Sequence, residues 1–162
     1  MAYFSSAVQP EELLGLAWLL EDGSRKFYAE LVSLSRDKEA VALFQKLSKA
    51  EERHQASLGN LYKELSGRPF DSEFPKNLIR EEPSGERMEG GMLLREAVQW
   101  AAKKSLKEIL ELSISLESNA YDLYLKMERK MESEHAKKVF KVLSAETKQH
   151  LDQLASLLEK KL

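Results

Sequence analysis

The chain of 162 residues contains no cysteine and few of the residues that interrupt helices. The absence of cysteine excludes disulfides, thiolate metal sites, iron–sulfur clusters and cysteine nucleophiles, so any metal must be held by Glu, Asp and His. Glycine and proline number only seven and four, and Val, Ile and Thr together number ten against 27 leucines. Because this composition favours helix over pleated sheet, an all-β fold is excluded and an all-α fold is expected.

The charges are nearly balanced, with 25 basic and 27 acidic side chains and a formal net charge of −2. There is no excess of positive charge that would attract nucleic acid or an anionic membrane surface. No apolar run reaches the roughly 18 residues of a membrane-spanning helix, and the first residues lack the basic segment and cleavage signature of a secretory signal. We therefore expect a cytoplasmic protein with neither nucleic acid nor a membrane among its partners.

Apolar residues recur at spacings of three and four along most of the chain, which predicts amphipathic helices. Proline is tolerated in a first helical turn, aspartate and serine are favoured N-caps, and a serine followed three residues later by glutamate forms a capping box. The predicted helices are one from about Pro10 to Leu34, one after Asp37, a short one over 92–102, one from the capping box Ser105/Glu108 to about Met131, and one capped by Ser133.

The chain contains an internal repeat, because residues 12–61 overlay residues 108–157 without a gap at an offset of 96. Thirteen of these 50 positions are identical, and the matched Glu, Tyr, Phe and His residues carry most of the weight in leucine-rich helices. Two helical hairpins of one design, over about 10–65 and 105–162, are therefore expected. Each has one apolar face, so the two would bury these faces on each other in a four-helix bundle.

A long connection over about 66–104 joins the hairpins, and four of the seven glycines and three of the four prolines lie in it between residues 67 and 91. It is far too long for a tight turn, but it can run the length of the bundle and relate the hairpins by a two-fold axis. A disordered linker between independent hairpins is the alternative, which is disfavoured because neither hairpin could be stable alone. We expect one domain over residues 1–162.

Polar residues inside the apolar stripes are the candidate site residues, because carboxylates are rarely buried unless they are paired or bind a cation. Glu21 and Glu117 point inward from the first and third long helices at equivalent positions of the repeat. Glu51 and His54 lie three residues apart on one face of the second long helix, where they can share a metal ion. A single such Glu could be a boundary residue turned to solvent, but the repeat and His150 in register with His54 favour a metal site.

This order of residues resembles the di-iron carboxylate pattern of ferritin-like proteins, specifically the rubrerythrin branch. In such bundles each of two helices contributes one Glu and each of the other two a Glu-x-x-His. A Tyr seven residues after each single Glu, here Tyr28 and Tyr124, and the Phe27-Tyr28 dipeptide point to the same branch. The resemblance covers about residues 10–160 and implies a ferritin-like four-helix bundle, here without a rubredoxin domain.

The resemblance implies a site for two iron ions, with zinc or manganese as alternatives. The ligand set that it implies is Glu21, Glu51, His54, Glu117 and His150, with Glu51 bridging the ions. Tyr28 and Tyr124 would donate hydrogen bonds that orient the carboxylates. Such a centre reduces peroxide or dioxygen, and because this chain has no cysteine the electrons would come from a separate donor protein. The resemblance also makes a homodimer the expected assembly.

One position departs from the pattern, because the residue three before His150 is Thr147, where the repeat predicts a glutamate from Glu51. Threonine is a poor ligand for iron, so the regular set of four carboxylates and two histidines is incomplete. Glu146 lies about 40° from His150 on the helical wheel and can compensate. Two interpretations of Glu146 stay open, as a ligand and as a solvated flanking residue. The remaining histidine, His135, is expected at the surface.

Three functions are compatible with these residues. The first is an oxidoreductase that reduces peroxide or dioxygen at a di-iron centre. In the second, the threonine marks a degraded centre, and the helical bundle binds one ion, such as zinc, or none and has a structural or interaction role. The third is iron storage or ferroxidase activity without peroxide turnover.

Overall fold

The computed structural model describes residues 9–71, 73–76 and 84–162, and these residues form five α-helices and no named strand. Between the second and third helices lies a short 3-10 turn, Glu89–Gly91. No described helix combines the length and the apolar character that crossing a lipid bilayer requires. The helices are α1 (Pro10–Leu34), α2 (Lys38–Ser66), α3 (Leu94–Ala101), α4 (Leu106–Lys130) and α5 (Glu134–Lys161).

The predicted caps are confirmed. Asp37 and Ser133 accept hydrogen bonds from backbone N–H groups three residues on, each at 3.0 Å. Ser105 and Glu108 form the capping box at the start of α4. These bonds satisfy N–H groups that have no partner inside the helix, which is why the helices begin where the sequence indicates.

The short helix begins two residues later than predicted, at Leu94 instead of Met92. Met92 is extended, and its carbonyl oxygen accepts a hydrogen bond from the Met88 N–H at 2.8 Å. Leu93 forms an isolated antiparallel bridge with Arg87. The chain therefore folds back on itself over residues 87–93, and the helix starts only after this closed loop.

The four long helices form two hairpins, in which α1 packs chiefly on α2 and α4 chiefly on α5. Contacts of α2 with α5 and of α1 with α4 join the hairpins, as expected for an all-α bundle. The repeat is visible in the core, where Tyr28 stacks on Phe44 with ring centroids 6.3 Å apart and Tyr124 packs on Phe140 at 6.0 Å. Sequence-equivalent positions therefore occupy equivalent places in the two hairpins.

The described parts of the connection pack on the bundle. Phe74 is buried between Tyr62, at 4.5 Å between ring centroids, and Trp18, at 5.8 Å. Met88 is completely buried in the cluster that includes Tyr28, and α3 packs on α1. This packing holds the loop 87–93 against the middle of the helices, where the candidate site lies.

Candidate metal centre

All five residues of the implied ligand set are buried, although each carries a polar or ionisable side chain. Glu21 comes from α1, Glu51 and His54 from α2, Glu117 from α4 and His150 from α5. All four long helices therefore turn at least one donor toward the interior. Burying such groups without a charge partner is costly, so their presence in the core needs a physical reason.

Three of these residues, Glu21, Glu51 and His54, form a compact donor group. Nδ1 of His54 lies 3.4 Å from Oε2 of Glu21 and 4.0 Å from Oε2 of Glu51. One ligand atom from each of the three residues lies within 4.8 Å of the other two. Because donors about 2 Å from a common ion lie roughly 3–4 Å from each other, a small contraction would let these atoms hold a metal ion.

The two tyrosines hold the single glutamates in a crossed arrangement. The Tyr28 hydroxyl, on α1, donates to Oε1 of Glu117 on α4 at 2.9 Å. The Tyr124 hydroxyl, on α4, donates to Oε1 of Glu21 on α1. The implied hydrogen bonds are thus present, and each tyrosine serves the carboxylate of the other hairpin. Burial and the adjacent carboxylates raise the pKa of both hydroxyls, which therefore remain donors.

The remaining donor atoms of this group have no hydrogen-bond partner among the residues that the structure describes. They are Oε2 of Glu21, Glu51 and Glu117, and Nδ1 of both His54 and His150. Buried polar atoms are normally satisfied, so a cluster of unpartnered carboxylate and imidazole atoms fits a metal ion better than it fits a packed core. Carboxylate oxygen and imidazole nitrogen suit iron, manganese and zinc.

Burial and neighbouring charges shift the pKa values of three site residues in the metal-free protein. Burial and the negative charge of Glu21 raise the pKa of Glu117 to about 8. Burial alone would lower the pKa of His54, but Glu146 and Glu21 outweigh it and raise this pKa to about 10. Burial and the positive charge of His54 lower the pKa of His150 to about 4. A bound cation would replace the protons held by Glu117 and His54, whereas His150 is already neutral.

Thr147 and Glu146 lie at the edge of the site on α5. Thr147 is completely buried, and its hydroxyl donates to the carbonyl oxygen of Leu143 at 2.8 Å, so its hydroxyl proton is already used within the helix. Oε2 of Glu146 lies 3.3 Å from Nε2 of His54, and its other oxygen pairs with Arg53. Oε1 of Glu146 also lies 3.9 Å from Nε2 of His150, so this residue, with a side chain 25 % exposed, faces both site histidines from the edge of the site.

Glu89 also lies near the site, although it was not predicted from the sequence. This residue comes from the 3-10 turn in the connection and is only 3 % exposed. Burial and the negative charges of Glu21 and Glu117 raise its pKa well above the usual value. Because Glu89 belongs to no apolar stripe, helical periodicity could not find it. The only sequence signal is that two glycines, Gly90 and Gly91, follow it.

His135 lies outside the site, as predicted. Its side chain is 62 % exposed, and its Nε2 lies 3.1 Å from a carboxylate oxygen of Glu64 on the bundle surface. The two histidines of the repeat are therefore the ones that the fold brings into the core.

Comparison with known proteins finds one matching family model and two solved structures of similar fold. Residues 108–161, which cover most of α4 and α5, match the family model for rubrerythrin. A hypothetical protein from Pyrococcus furiosus shares the fold with a TM-score of 0.74 and 22 % identity, over 95 % of this chain and 90 % of that chain. A Thermotoga maritima protein, provisionally assigned as ferritin-like and diiron-carboxylate, aligns with a TM-score of 0.70 and 20 % identity, over 96 % and 97 % of the two chains. No curated protein sequence matches the chain.

The protein is an all-α helical bundle that shares its fold with these two solved structures. Its second hairpin, residues 108–161, is similar to rubrerythrin.

Proposed function

We propose that the protein is a di-iron oxidoreductase that reduces hydrogen peroxide or dioxygen with external electrons. The observation that carries the proposal is the convergence of buried, unpartnered carboxylate and imidazole atoms from all four long helices. Glu21, Glu51, His54, Glu117 and His150 would hold two iron ions, with Glu51 as the ligand shared between them. Such a centre would supply the two electrons by which peroxide and two protons give two water molecules.

The protein's own contribution is to orient the carboxylates and keep bulk water out. Tyr28 and Tyr124 each occupy one oxygen of a glutamate and leave Oε2 without a partner. Such outer hydrogen bonds fix the direction of a ligand and tune its basicity. Glu146 plays a comparable part toward His54, because it faces Nε2 while Nδ1 faces Glu21 and Glu51. A histidine that ligates through one nitrogen usually donates through the other.

Electrons would come from a separate donor protein, because the chain has no cysteine for a rubredoxin centre or an iron–sulfur cluster. The match to rubrerythrin over the second hairpin and the description of the Thermotoga maritima protein support the choice of iron. The expected homodimer stays a prediction that solution mass measurement can test.

A second candidate is a protein that binds one ion, such as zinc, with a structural role. It is favoured by the compact group Glu21, Glu51 and His54, whose ligand atoms all lie within 4.8 Å, and by the threonine at position 147. In this case the oxygen chemistry above would be absent.

Metal analysis followed by oxidation kinetics separates these functions. Protein from iron-replete cells would be analysed for iron and zinc, and its ferrous form would then be mixed anaerobically with peroxide. Two irons per chain with rapid peroxide oxidation support the proposal. Slow peroxide oxidation, with fast dioxygen oxidation and iron accumulating well beyond two per chain, indicates ferroxidase or storage activity. A single zinc indicates the structural candidate. No bound metal and an unchanged melting temperature on metal addition contradict both metal-binding functions.

A further inference from the structure

The connection between the hairpins places one more carboxylate, that of Glu89, near the candidate metal centre. Glu89 is only 3 % exposed to solvent, and its Oε1 has no hydrogen-bond partner within the described ranges. Its backbone N–H donates to the Ser24 hydroxyl at 3.3 Å, one helical turn from Glu21. Its carboxyl group lies near those of Glu21 and Glu117, whose negative charges act on it. The carboxyl group therefore lies beside the ligand set without being part of any of the four long helices.

Two glycines allow this close approach. A Cβ at position 23 of α1 would lie 2.1 Å from the carbonyl oxygen of Arg87, so only glycine lets the loop 87–93 contact the helix there. Gly90 has a φ of +78°, and a Cβ on it would lie 2.6 Å from Nδ2 of Asn119 on α4. Gly23 and Asn119 are equivalent positions of the repeat, two residues beyond Glu21 and Glu117. The loop thus packs between the two helices that carry the single glutamates.

Hydrogen bonds within the loop 87–93 fix its conformation. The Arg87 guanidinium donates to the Gly91 carbonyl oxygen at 2.6 Å, and the Gly91 N–H donates to the Met88 carbonyl oxygen at 3.0 Å. Met88, the residue before Glu89 in the sequence, is completely buried. A carboxylate on such a loop is positioned before any ion arrives, as a metal ligand should be.

A fourth carboxylate would balance the charge of two divalent ions. Glu21, Glu51 and Glu117 carry three negative charges when ionised, and neutral imidazoles carry none. Two divalent ions bring four positive charges, and an uncompensated buried charge is costly. Glu146 is an unsuitable fourth partner because it is paired with Arg53 at the edge of the site. Glu89 is buried and has no cationic partner of its own in the described part of the chain.

We propose that Glu89 is a metal ligand, so that the connection restores the four-carboxylate, two-histidine donor set that Thr147 breaks on α5. This inference rests on the proposed function, because it requires a metal in the site. It assigns the fourth carboxylate to the connection and leaves Glu146 as the partner of Arg53 and His54.

The test compares Glu89→Gln with Glu86→Gln. The first change keeps the size of a buried side chain and removes its charge. The second is a matched control, because Glu86 lies in the same segment but is 54 % exposed and pairs with Lys26 at the surface. Co²⁺ titration, followed by visible absorption, measures stoichiometry and affinity in both variants and the wild type. A crystal of the wild-type protein soaked with Mn²⁺ measures the Glu89 oxygen–metal distance directly and does not depend on how a variant folds.

The expected result is two ions per wild-type chain, one Glu89 oxygen within about 2.5 Å of an ion, and unchanged binding in Glu86→Gln. Glu89→Gln should bind at least one ion tenfold or more weakly and shift the Co²⁺ absorption bands, because a ligand is lost directly. Two ions bound equally well by Glu89→Gln, or a Glu89 carboxylate remote from both ions, would overturn this inference and leave the proposed function standing. A wild-type chain that takes up no metal would overturn both.

Discussion

The hydroxyl of Tyr28 donates a hydrogen bond to Oε1 of Glu117 across 2.9 Å, so a side chain of the first hairpin positions a carboxylate of the second. The Tyr124 hydroxyl donates the equivalent hydrogen bond to Oε1 of Glu21. The two hairpins are therefore joined at the candidate centre by a reciprocal pair of polar contacts as well as by apolar packing. Any change in how the hairpins pack together should therefore also change the positions of the metal donors.

Removing one of these hydroxyls should weaken the fold and the site together. Tyr28→Phe leaves a buried carboxylate oxygen without its donor, which should cost about 1–3 kcal/mol of unfolding free energy in the metal-free protein. It should also reduce metal affinity by about tenfold or more, because the orientation of Glu117 is no longer fixed. Urea unfolding and Co²⁺ titration measure the two effects. Tyr121→Phe, on the same helix as Tyr124 but half-buried and outside the site, is the control and should change neither quantity.

Glu51 and Glu146 should respond differently to substitution. Glu51→Ala removes the proposed bridge and should abolish binding of both ions. Glu146→Gln removes a negative charge near Nε2 of His54 and the partner of Arg53, so it should weaken binding only moderately. Isothermal titration with Fe²⁺ under anaerobic conditions compares the two. Negligible effects from both changes would favour a structural role for the bundle.

The stability of the metal-free protein should fall as pH rises from 6.5 to 8. The pKa of Glu117 is about 8 when folded, against an ordinary 4.5, and that of His54 is about 10, against 6.5. Across this window the folded state keeps protons that the unfolded state has released, so deprotonation favours unfolding. The lowered pKa of His150 acts below pH 6.5 and does not oppose the trend. The expected loss is about 1–3 kcal/mol, since one pKa unit corresponds to about 1.4 kcal/mol.

Melting temperatures measured with a chelator at several pH values test this trend. Glu117→Gln should make the melting temperature depend less on pH, because one of the two groups no longer titrates. Metal-loaded protein should show the opposite slope, because ligands must lose their protons before they bind an ion. A metal-free melting temperature that rises across the same window would contradict the assignment of these pKa shifts.

Gly23→Ala should destabilise the protein, although alanine is the better helix former by about 1 kcal/mol. The added Cβ would lie 2.1 Å from the carbonyl oxygen of Arg87, and backbone cannot yield as a flexible side chain can. We expect a net loss of about 1–3 kcal/mol as the loop is pushed from α1. Chemical denaturation measures it. Ser118→Ala, on the exposed face of α4, is the control and should be neutral or slightly stabilising.

Several features of the fold were predictable because they depend on local chemistry. The caps at Asp37 and Ser133 satisfy N–H groups within three residues, and apolar spacing reports which face of a helix is buried. The burial of Glu21 and Glu117 also followed from their positions in these stripes. The start of the short helix was placed two residues early, because Met92 is held by a hydrogen bond to Met88 that apolar spacing does not encode.

The sequence by itself determined four long amphipathic helices, their repeat, and five buried donors facing a common core. The tertiary structure alone decided which groups meet there. It paired each tyrosine with the glutamate of the other hairpin, turned Glu146 toward Arg53, and brought Glu89 from the connection to Glu21. Helical periodicity specifies the direction of a side chain on its own helix. The distance between separate segments depends instead on how closely their backbones pack, and here that distance rests on the missing side chain at Gly23.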